Sequence, residues 1–382
     1  MSLRTTNIAK TSRLSQVLDH GRWVAAATVM FGHVRNTLFM GYTEVEEMGL
    51  VTKIFYLVTN LQNEAVICFF VISGVVVGGK CLNILRDDSL LLGRYAVDRL
   101  IRLYIVLVPA VVLSVALIWL QNVLIEAPKF WCAKIDYLDI LGNFFYIQHV
   151  LVDLPCNNIP LWSLANEFWY YLLFPALFVA WVRRGRRDGW VAGSLVLVVL
   201  IFLAFADVHD RHGVLVYFSI WALGVLVWVP LQIRPNIVVS LALLVIALAL
   251  SRSHVLDGLY YIRDSAIAGS LLLVFLSVLA WDDLSGPLEA TSKTSLVTKT
   301  GVFLAGFSYS LYLVHWPILH FGRNTLKHIF NVSLPLNPGV ASSYGIYAII
   351  TSVCVMTALL FWWLFESRTL RFRRWAYRML NI

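Results

Sequence analysis

Apolar segments of about 20 residues recur along the whole chain, separated by short polar turns and one longer connection. An α-helix needs about 20 apolar residues to cross a bilayer, where every backbone polar group must be hydrogen-bonded internally. The pattern therefore predicts an all-α polytopic membrane protein of about ten transmembrane helices, over residues 22–40, 63–80, 100–122, 164–182, 189–206, 213–231, 236–251, 264–281, 301–320 and 343–365.

The composition excludes an ordinary soluble domain. Of the 382 residues, 59% are hydrophobic and only 14% are charged, with a mean hydropathy of +0.76. One soluble core cannot bury that much apolar surface. The net charge of +8 would indicate a nucleic-acid partner in a soluble protein. The positions of the basic residues explain the charge better, so we expect no nucleic-acid partner.

Lys and Arg are unevenly distributed between the loops. With the N-terminus inside, 21 of the 30 basic residues fall on the cytoplasmic side and nine outside, as the positive-inside rule requires. An even number of spans then leaves both termini in the cytoplasm. Residues 1–21 show no signal-cleavage pattern, so we expect them to stay as a cytoplasmic N-terminal segment.

The remaining segments are assigned from the same pattern, as parts of one membrane domain over residues 1–382. Residues 123–163 are expected to form a periplasmic loop, and residues 366–382 a basic cytoplasmic tail. Within the loop, the apolar piece at 137–150 is too short to span, which indicates an interfacial or re-entrant segment.

The first span places a cation and an imidazole on one face of a helix. Arg22 and His33 are eleven residues apart, which at about 100° per residue is roughly 20° more than three full turns. The rise of about 16 Å puts His33 near the middle of a hydrocarbon core ~30 Å thick. An ionisable side chain at that depth is costly and indicates function.

Two arginines mark the start of the third span. Arg99 and Arg102 are three residues apart, hence on one helix face, where they can hold a phosphate through paired hydrogen bonds. Alone they would be ordinary topology anchors. With Arg22 on the same side, they favour an anion site.

The fourth span begins with a polar cluster of Glu167, Ser163 and Asn166 between aromatic residues. The carboxylate is either an interfacial charge stabilised by the helix N-terminus or a group that orients an imidazole or binds a sugar hydroxyl. Charges inside spans are usually functional, which favours the second interpretation.

Spans 2 and 9 hold further candidates. Ser73 precedes Gly74 in a stretch of small residues that is typical of close helix packing. Tyr309 and His315 lie in span 9, where His315 either takes part in the chemistry or hydrogen-bonds a neighbouring helix.

Several common motifs are absent from the sequence. It contains no Walker A, GxGxxG, HExxH or paired CxxC motif, which argues against a nucleotide-driven pump or a zinc protease. The cysteines form no metal pattern, so no metal site is expected. Cys132 and Cys156 share the periplasmic loop and are either disulfide-bonded or two free thiols.

Together these segments resemble the acyltransferase-3 family, the multi-span bacterial O-acyltransferases that modify surface sugars. The resemblance runs from Arg22 to Glu366, and its specificity lies in the order and spacing of the motifs. They are the Arg-x10-His of span 1, Phe-Phe-x-x-Ser-Gly at 69–74, Arg-x-x-Arg at 99–102, Leu-Trp-Ser-Leu-x-x-Glu at 161–167, Ser-Tyr-x-Leu-Tyr-x-x-His-x-Pro at 308–317, and Glu366.

The chain departs from the family pattern at two places. Arg102 is followed by Leu-Tyr-Ile where relatives often have Ile-x-Pro, and Ser367 follows Glu366 where Pro is common. These departures concern the detail of the inner site. The SGNH-hydrolase-like domain that some relatives carry is absent from this sequence.

The resemblance implies an inner-membrane O-acyltransferase with no permanently bound cofactor, and with acyl-CoA, most simply acetyl-CoA, as co-substrate. Its arginines, Arg22, Arg99 and Arg102, would meet the CoA phosphates. His33, neutral at rest, would be the general base, or would carry the acyl group covalently. Glu167 would orient the imidazole or hold the acceptor, an envelope, secreted or lipid-linked carbohydrate.

A transporter or flippase for a lipid-linked sugar is the alternative, since the same polar groups would line a transport path. A transporter of that kind should show broken spans in matching halves, and no such symmetry is visible in the sequence. The acceptor sugar, the acyl group and the oligomeric state stay open.

Overall fold

The computed structural model describes residues 12–81, 90–124, 136–148, 151–154, 158–207, 213–229, 231–256, 258–285 and 296–382. Regular secondary structure in these residues is helical, apart from isolated bridges between Phe39 and Leu336 and between Gln148 and Val152. The α-helices are α1 Arg13–Leu38, α2 Leu50–Thr59, α3 Gln62–Ser73, α4 Leu90–Leu124, α5 Tyr137–Phe144, α6 Leu161–Val182, α7 Arg187–Asp207, α8 Val214–Val225, α9 Ile237–Ser251, α10 Tyr260–Ser285, α11 Leu296–His328, α12 Ala341–Leu364 and α13 Thr369–Leu380.

Each of the ten predicted spans overlaps one of these helices. Within the described residues, six helical stretches are both long and apolar enough to cross a membrane: Leu50–Cys81, Gly93–Leu124, Arg187–Ala204, Tyr260–Ser285, Leu296–His328 and Ala341–Leu380. Val214–Trp228 and Ile237–Ser251 are apolar but shorter. The chain is thus a helical membrane protein with several passes, while the count of ten and the orientation of the termini stay predictions.

Helix α1 occupies the centre of the bundle, where it packs against α3, α10, α11 and α12. The hydroxyl of Ser12 caps its first turn by accepting the Ser15 N–H at 3.0 Å. Leu14, Ala26 and Val34 are fully buried along its length. Because α1 is continuous and packs against four helices, the side chains of its inner faces are held inside the protein rather than in lipid.

Helices α3 and α8 approach each other unusually closely. Helix α3 ends in a π-helical turn, Gly74–Gly78, and a Cβ atom on Gly74 would lie 2.0 Å from the Trp221 carbonyl oxygen. A Cβ atom on Gly224 would lie 2.1 Å from the Val71 oxygen. Small residues at this crossing therefore let the two backbones touch, as the stretch around Ser73 predicts.

The C-terminal segment is folded back onto the bundle. A 3₁₀ turn, Glu366–Arg368, follows α12 and leads into α13, which packs against α4. Tyr377 donates a hydrogen bond to Asp98, and Arg373 Nε lies 3.3 Å from the same carboxylate. The predicted basic tail is thus a short helix tied to α4.

Gly74→Ala should destabilise the protein by about 1–3 kcal/mol, because the added methyl group must push α8 away. The matched control is Gly345→Ala on α12, where a Cβ atom meets nothing within 4 Å. That change should be neutral or slightly stabilising, since Ala favours helix over Gly. Thermal unfolding of the detergent-purified variants measures both; equal melting temperatures would contradict the close packing at Gly74.

Candidate active site

A cavity of about 350 Å³ between α1, α3, α4, α6 and α11 is lined by charged and aromatic side chains. We call it the cationic cavity, because five basic side chains and one carboxylate, that of Glu167, are among the described residues that line it. The basic residues are Arg22, Lys80, Arg99, Arg102 and Arg373.

Three of these cations have carboxylate partners. Arg102 Nη1 lies 3.0 Å from Oε1 of Glu366, whose side chain is buried and also accepts the Ser310 hydroxyl at 2.7 Å. Lys80 and Arg373 share Asp98. Their charges are therefore partly compensated inside the protein.

Arg22 and Arg99 form no ion pair within the described part of the chain. The Arg99 guanidinium instead stacks over the rings of Tyr95 and Tyr171, each centroid 5.4 Å away. Two guanidinium groups without a carboxylate partner in a confined, positively charged cavity favour a bound anion, and arginine suits phosphate because its planar fork donates paired hydrogen bonds.

Glu167 belongs to the wall of the cationic cavity. The Ser73 hydroxyl donates a hydrogen bond to its Oε1 atom, and Ser73 in turn accepts the Trp221 indole N–H at 3.2 Å. The hydroxyl of Tyr171 lies 3.5 Å from the same Ser73 oxygen. The structure thus places Glu167 with Ser73 rather than beside His33.

His33 lines a second cavity of about 450 Å³. We call it the aromatic cavity, since rings alternate in its wall with amides, a hydroxyl and one Arg–Asp pair. Its polar and aromatic lining residues are His33, Asn36, Thr37, Gln62, Asn63, Trp162, Tyr217, Tyr260, Arg263, Asp264, Tyr312 and Trp316.

Asp264 is fixed in the wall of the aromatic cavity. The residue is 3% exposed. Its carboxylate accepts a hydrogen bond from the Tyr217 hydroxyl at 2.9 Å and another from Nε–H of Arg263 at 2.9 Å. The buried charge is therefore balanced and hydrogen-bonded, as burial of a carboxylate requires. One side of the aromatic cavity consequently presents fixed donors and acceptors at stable positions.

The imidazole of His33 is held by a second histidine. His33 Nδ1 lies 3.0 Å from Nε2 of His315, which is fully buried, and Nδ1 of His315 lies 2.9 Å from the Leu311 carbonyl oxygen. A carbonyl oxygen only accepts, so Nδ1 of neutral His315 carries the proton and its Nε2 accepts from His33 Nδ1. This assignment leaves Nε2 of His33 with a free lone pair.

The two cavities are stacked along the same helices. On α1, Arg22 lines the cationic cavity and His33 lines the aromatic cavity. On α6, Glu167 lines the cationic cavity and Trp162 lines the aromatic cavity. Tyr312 lines both cavities, and its hydroxyl lies 2.7 Å from that of Ser163. Tyr312 therefore marks the boundary between them.

The sequence-derived candidates fall into three groups. The cationic cavity gathers most of them: Arg22, Ser73, Arg99, Arg102, Ser163, Glu167 and Tyr309. His33 lines the aromatic cavity, His315 lies behind it, and Glu366 lies behind Arg102. Asn166 is buried but is not among the lining residues of either cavity. Cys132 and Cys156 lie outside the described residues.

Sequence reasoning missed Tyr312, Asp264 and the contribution of α13. Tyr312 precedes His315 by three residues and follows Tyr309 by three, so helical spacing from these two was an available signal. Asp264 stands at the first position of a predicted span, where a carboxylate is rare. Arg373 gave no signal, because its place depends on how α13 folds back.

The fold and the site together define a multi-pass membrane protein with two stacked internal cavities, one of them lined by an imidazole. Residues 16–366 match the acyltransferase-3 family, described as an acyltransferase domain. The match covers most of the chain, and the chain belongs to this family. Its members are membrane O-acyltransferases, which is the activity class that the comparisons support.

Two relatives illustrate the likeness. Acyltransferase MdmB of Streptomyces mycarofaciens is 25% identical over 327 residues, 80% of this chain and 79% of MdmB. O-acetyltransferase OatA of Staphylococcus aureus is 27% identical over 278 residues, 66% of this chain and 45% of OatA. The matched region is thus less than half of OatA. The comparison with solved structures gives no significant match.

Proposed function

We propose that this protein transfers an acyl group, most simply acetyl, from acyl-CoA to a hydroxyl of an envelope, secreted or lipid-linked carbohydrate at the bacterial inner membrane. The observation that carries the proposal is the stacking of a cationic cavity on an aromatic one that contains His33, with Tyr312 between them. One cavity suits a polyanionic donor and the other a sugar acceptor.

The donor occupies the cationic cavity. CoA carries phosphates that cannot enter hydrocarbon, and Arg22 and Arg99 are cations without an ion-pair partner in the described residues. The pantetheine arm is long enough to follow α1 over the rise of about 16 Å from Arg22 to His33. Its amide N–H groups need acceptors in a confined cavity, and Glu167 is the carboxylate available to them in the described lining.

The acceptor occupies the aromatic cavity. Sugar rings present apolar C–H faces that pack on aromatic rings such as Trp162 and Trp316, while their hydroxyl groups bond amides and carboxylates. Asn36, Asn63 and Asp264 provide such partners. The likeness to OatA, an O-acetyltransferase, supports oxygen as the accepting atom and acetyl as the group.

His33 performs the proton transfer. Its free Nε2 lone pair takes the proton of the acceptor hydroxyl while the acceptor oxygen bonds to the thioester carbonyl carbon. The carbon–sulfur bond then breaks, and the departing CoA thiolate takes the proton from the imidazolium. His315 accepts from Nδ1–H of His33 throughout, so the orientation of the ring does not change during the reaction.

Variants that should weaken acyl-CoA binding and one that should strengthen it test the donor site. Arg99→Ala should weaken acyl-CoA binding about 10–100-fold, since a hydrogen bond to a charged group contributes ~1.5–3 kcal/mol, and Arg99→Lys should restore it only in part. Glu366→Gln removes a negative charge beside Arg102 and should tighten binding. The control, Arg263→Ala in the aromatic cavity, should leave donor affinity unchanged; calorimetric titration of acyl-CoA measures all four.

His33→Ala should lower acyl transfer about 10²–10⁴-fold, the range typical of a lost general base, with membrane levels maintained. His20→Ala, on the same helix but in neither cavity, is the matched control and should retain activity. The measurement is the mass of the target glycan from cells with each variant. Unchanged acylation with altered glycan export would instead favour the transporter.

His315→Leu should lower kcat at least about tenfold with little change in the KM for acyl-CoA, because the His33 ring loses the partner that fixes its tautomer. His315→Gln keeps a side-chain acceptor and should recover part of kcat. Steady-state kinetics of the purified variants distinguishes positioning from packing. Equal losses for Leu and Gln, or a loss seen only in KM, would contradict the role of His315.

A further inference from the structure

A third cavity, of about 730 Å³, lies between α4, α6 and α7 and adjoins the cationic cavity, with which it shares Arg99, Leu103 and Tyr171. We call it the lateral groove. Apart from Arg99, Arg187 and Asp188, its described lining is apolar or aromatic, with Leu100, Phe168, Leu172, Val191, Ala192 and Leu195 among its residues. Such a lining suits a hydrocarbon chain.

The groove extends along the axes of the helices that line it. Its lining runs over residues 95–103 of α4, 168–179 of α6 and 187–195 of α7. At 1.5 Å per residue these stretches rise about 12, 16 and 12 Å, which is close to half of a hydrocarbon core ~30 Å thick. The groove is therefore as deep as one lipid leaflet.

The groove is also open to the membrane. Leu100, Leu172, Val191 and Leu195 belong to its lining and are 43, 44, 62 and 56% exposed. In a helix bundle surrounded by lipid, exposed apolar side chains of this kind contact acyl chains. A lipid can accordingly enter from the side without passing through the cationic cavity.

The polar end of the groove carries positive charge. Arg187 and Asp188 begin α7, and Asp188 is already paired with Arg183 at 2.7 Å. Arg184 and Arg186 lie exposed in the same turn. Four arginines and one aspartate leave a net charge of +3 at the end of an apolar groove, which complements an anionic headgroup.

We propose that the lateral groove binds an anionic phospholipid, with one acyl chain between α4, α6 and α7 and the phosphate at Arg187. The groove is deep enough to hold an acyl chain, which excludes free phosphate as its natural occupant. The positive charge at its end favours an anionic over a zwitterionic headgroup. A lipid-linked acceptor would carry its sugar to the wrong end, since His33 lies in the other half of the bundle. The proposal is independent of the reaction assigned to the cavities.

Native mass spectrometry of the purified protein tests the proposal. Phosphatidylglycerol and phosphatidylcholine with identical chains are added in equal amounts, and the retained lipid is counted after detergent removal in the gas phase. Phosphatidylglycerol should be retained at least about tenfold better. Inorganic phosphate in large excess should not displace it, because phosphate cannot fill the groove.

Two variants and their matched controls locate the site. Ala192→Trp fills the groove and Arg187→Glu reverses its charge, and each should abolish the preference. Ala242→Trp, exposed on α9, and Arg371→Glu, exposed on α13, make the same changes elsewhere and should leave it intact. An unchanged melting temperature shows that a variant is folded.

Each contrary outcome overturns the proposal. Equal retention of the two lipids would make the groove a non-selective hydrocarbon contact. Displacement of phosphatidylglycerol by inorganic phosphate would show that the arginines alone bind the headgroup and that the apolar groove contributes nothing. Loss of retention in the control variants, or its persistence in both groove variants, would put the bound lipid elsewhere on the protein.

Discussion

The hydrogen bond between His33 and His315 is the interaction on which the rest of the site depends. A lone imidazole inside a helix bundle has no fixed tautomer, and it serves as a base only if the correct nitrogen is free. The Leu311 carbonyl fixes His315, and His315 fixes His33. The relative rotation of helices α1 and α11 therefore determines which nitrogen of His33 keeps a free lone pair.

The same helices place most of the charged side chains in one cavity of the bundle and the aromatic rings with His33 in the other. Arg22 and His33 stand on one continuous helix, so the distance between the two cavities is set by the rise of α1. Arg102 is paired with Glu366, while Arg22 and Arg99 have no ion-pair partner among the described residues. The buried pair of Glu366 with Arg102 thus belongs to the structure of the cavity as much as to its potential.

Much of this arrangement follows from the sequence, and the remainder has a physical reason for escaping it. Hydropathy predicts the helices, because only helices hide backbone polar groups in lipid. Helical spacing predicts that Arg99 and Arg102 share a face. The partner of Glu167 could not be predicted in this way. Its contact with Ser73 depends on how α3 and α6 are rotated about their axes, and one sequence contains no measure of that rotation. The position of Tyr312 between two cavities is a property of four helices together.

The boundary at Tyr312 has a consequence for the cell rather than for the reaction. Two polar cavities stacked along the same membrane helices would, if joined, let water form a continuous wire for protons and dissipate the electrochemical gradient. Tyr312 lies where the two cavities meet, and its hydroxyl is held 2.7 Å from that of Ser163. An aromatic ring at such a junction opposes a hydrated ion far more than an uncharged group, because the ion must lose its water.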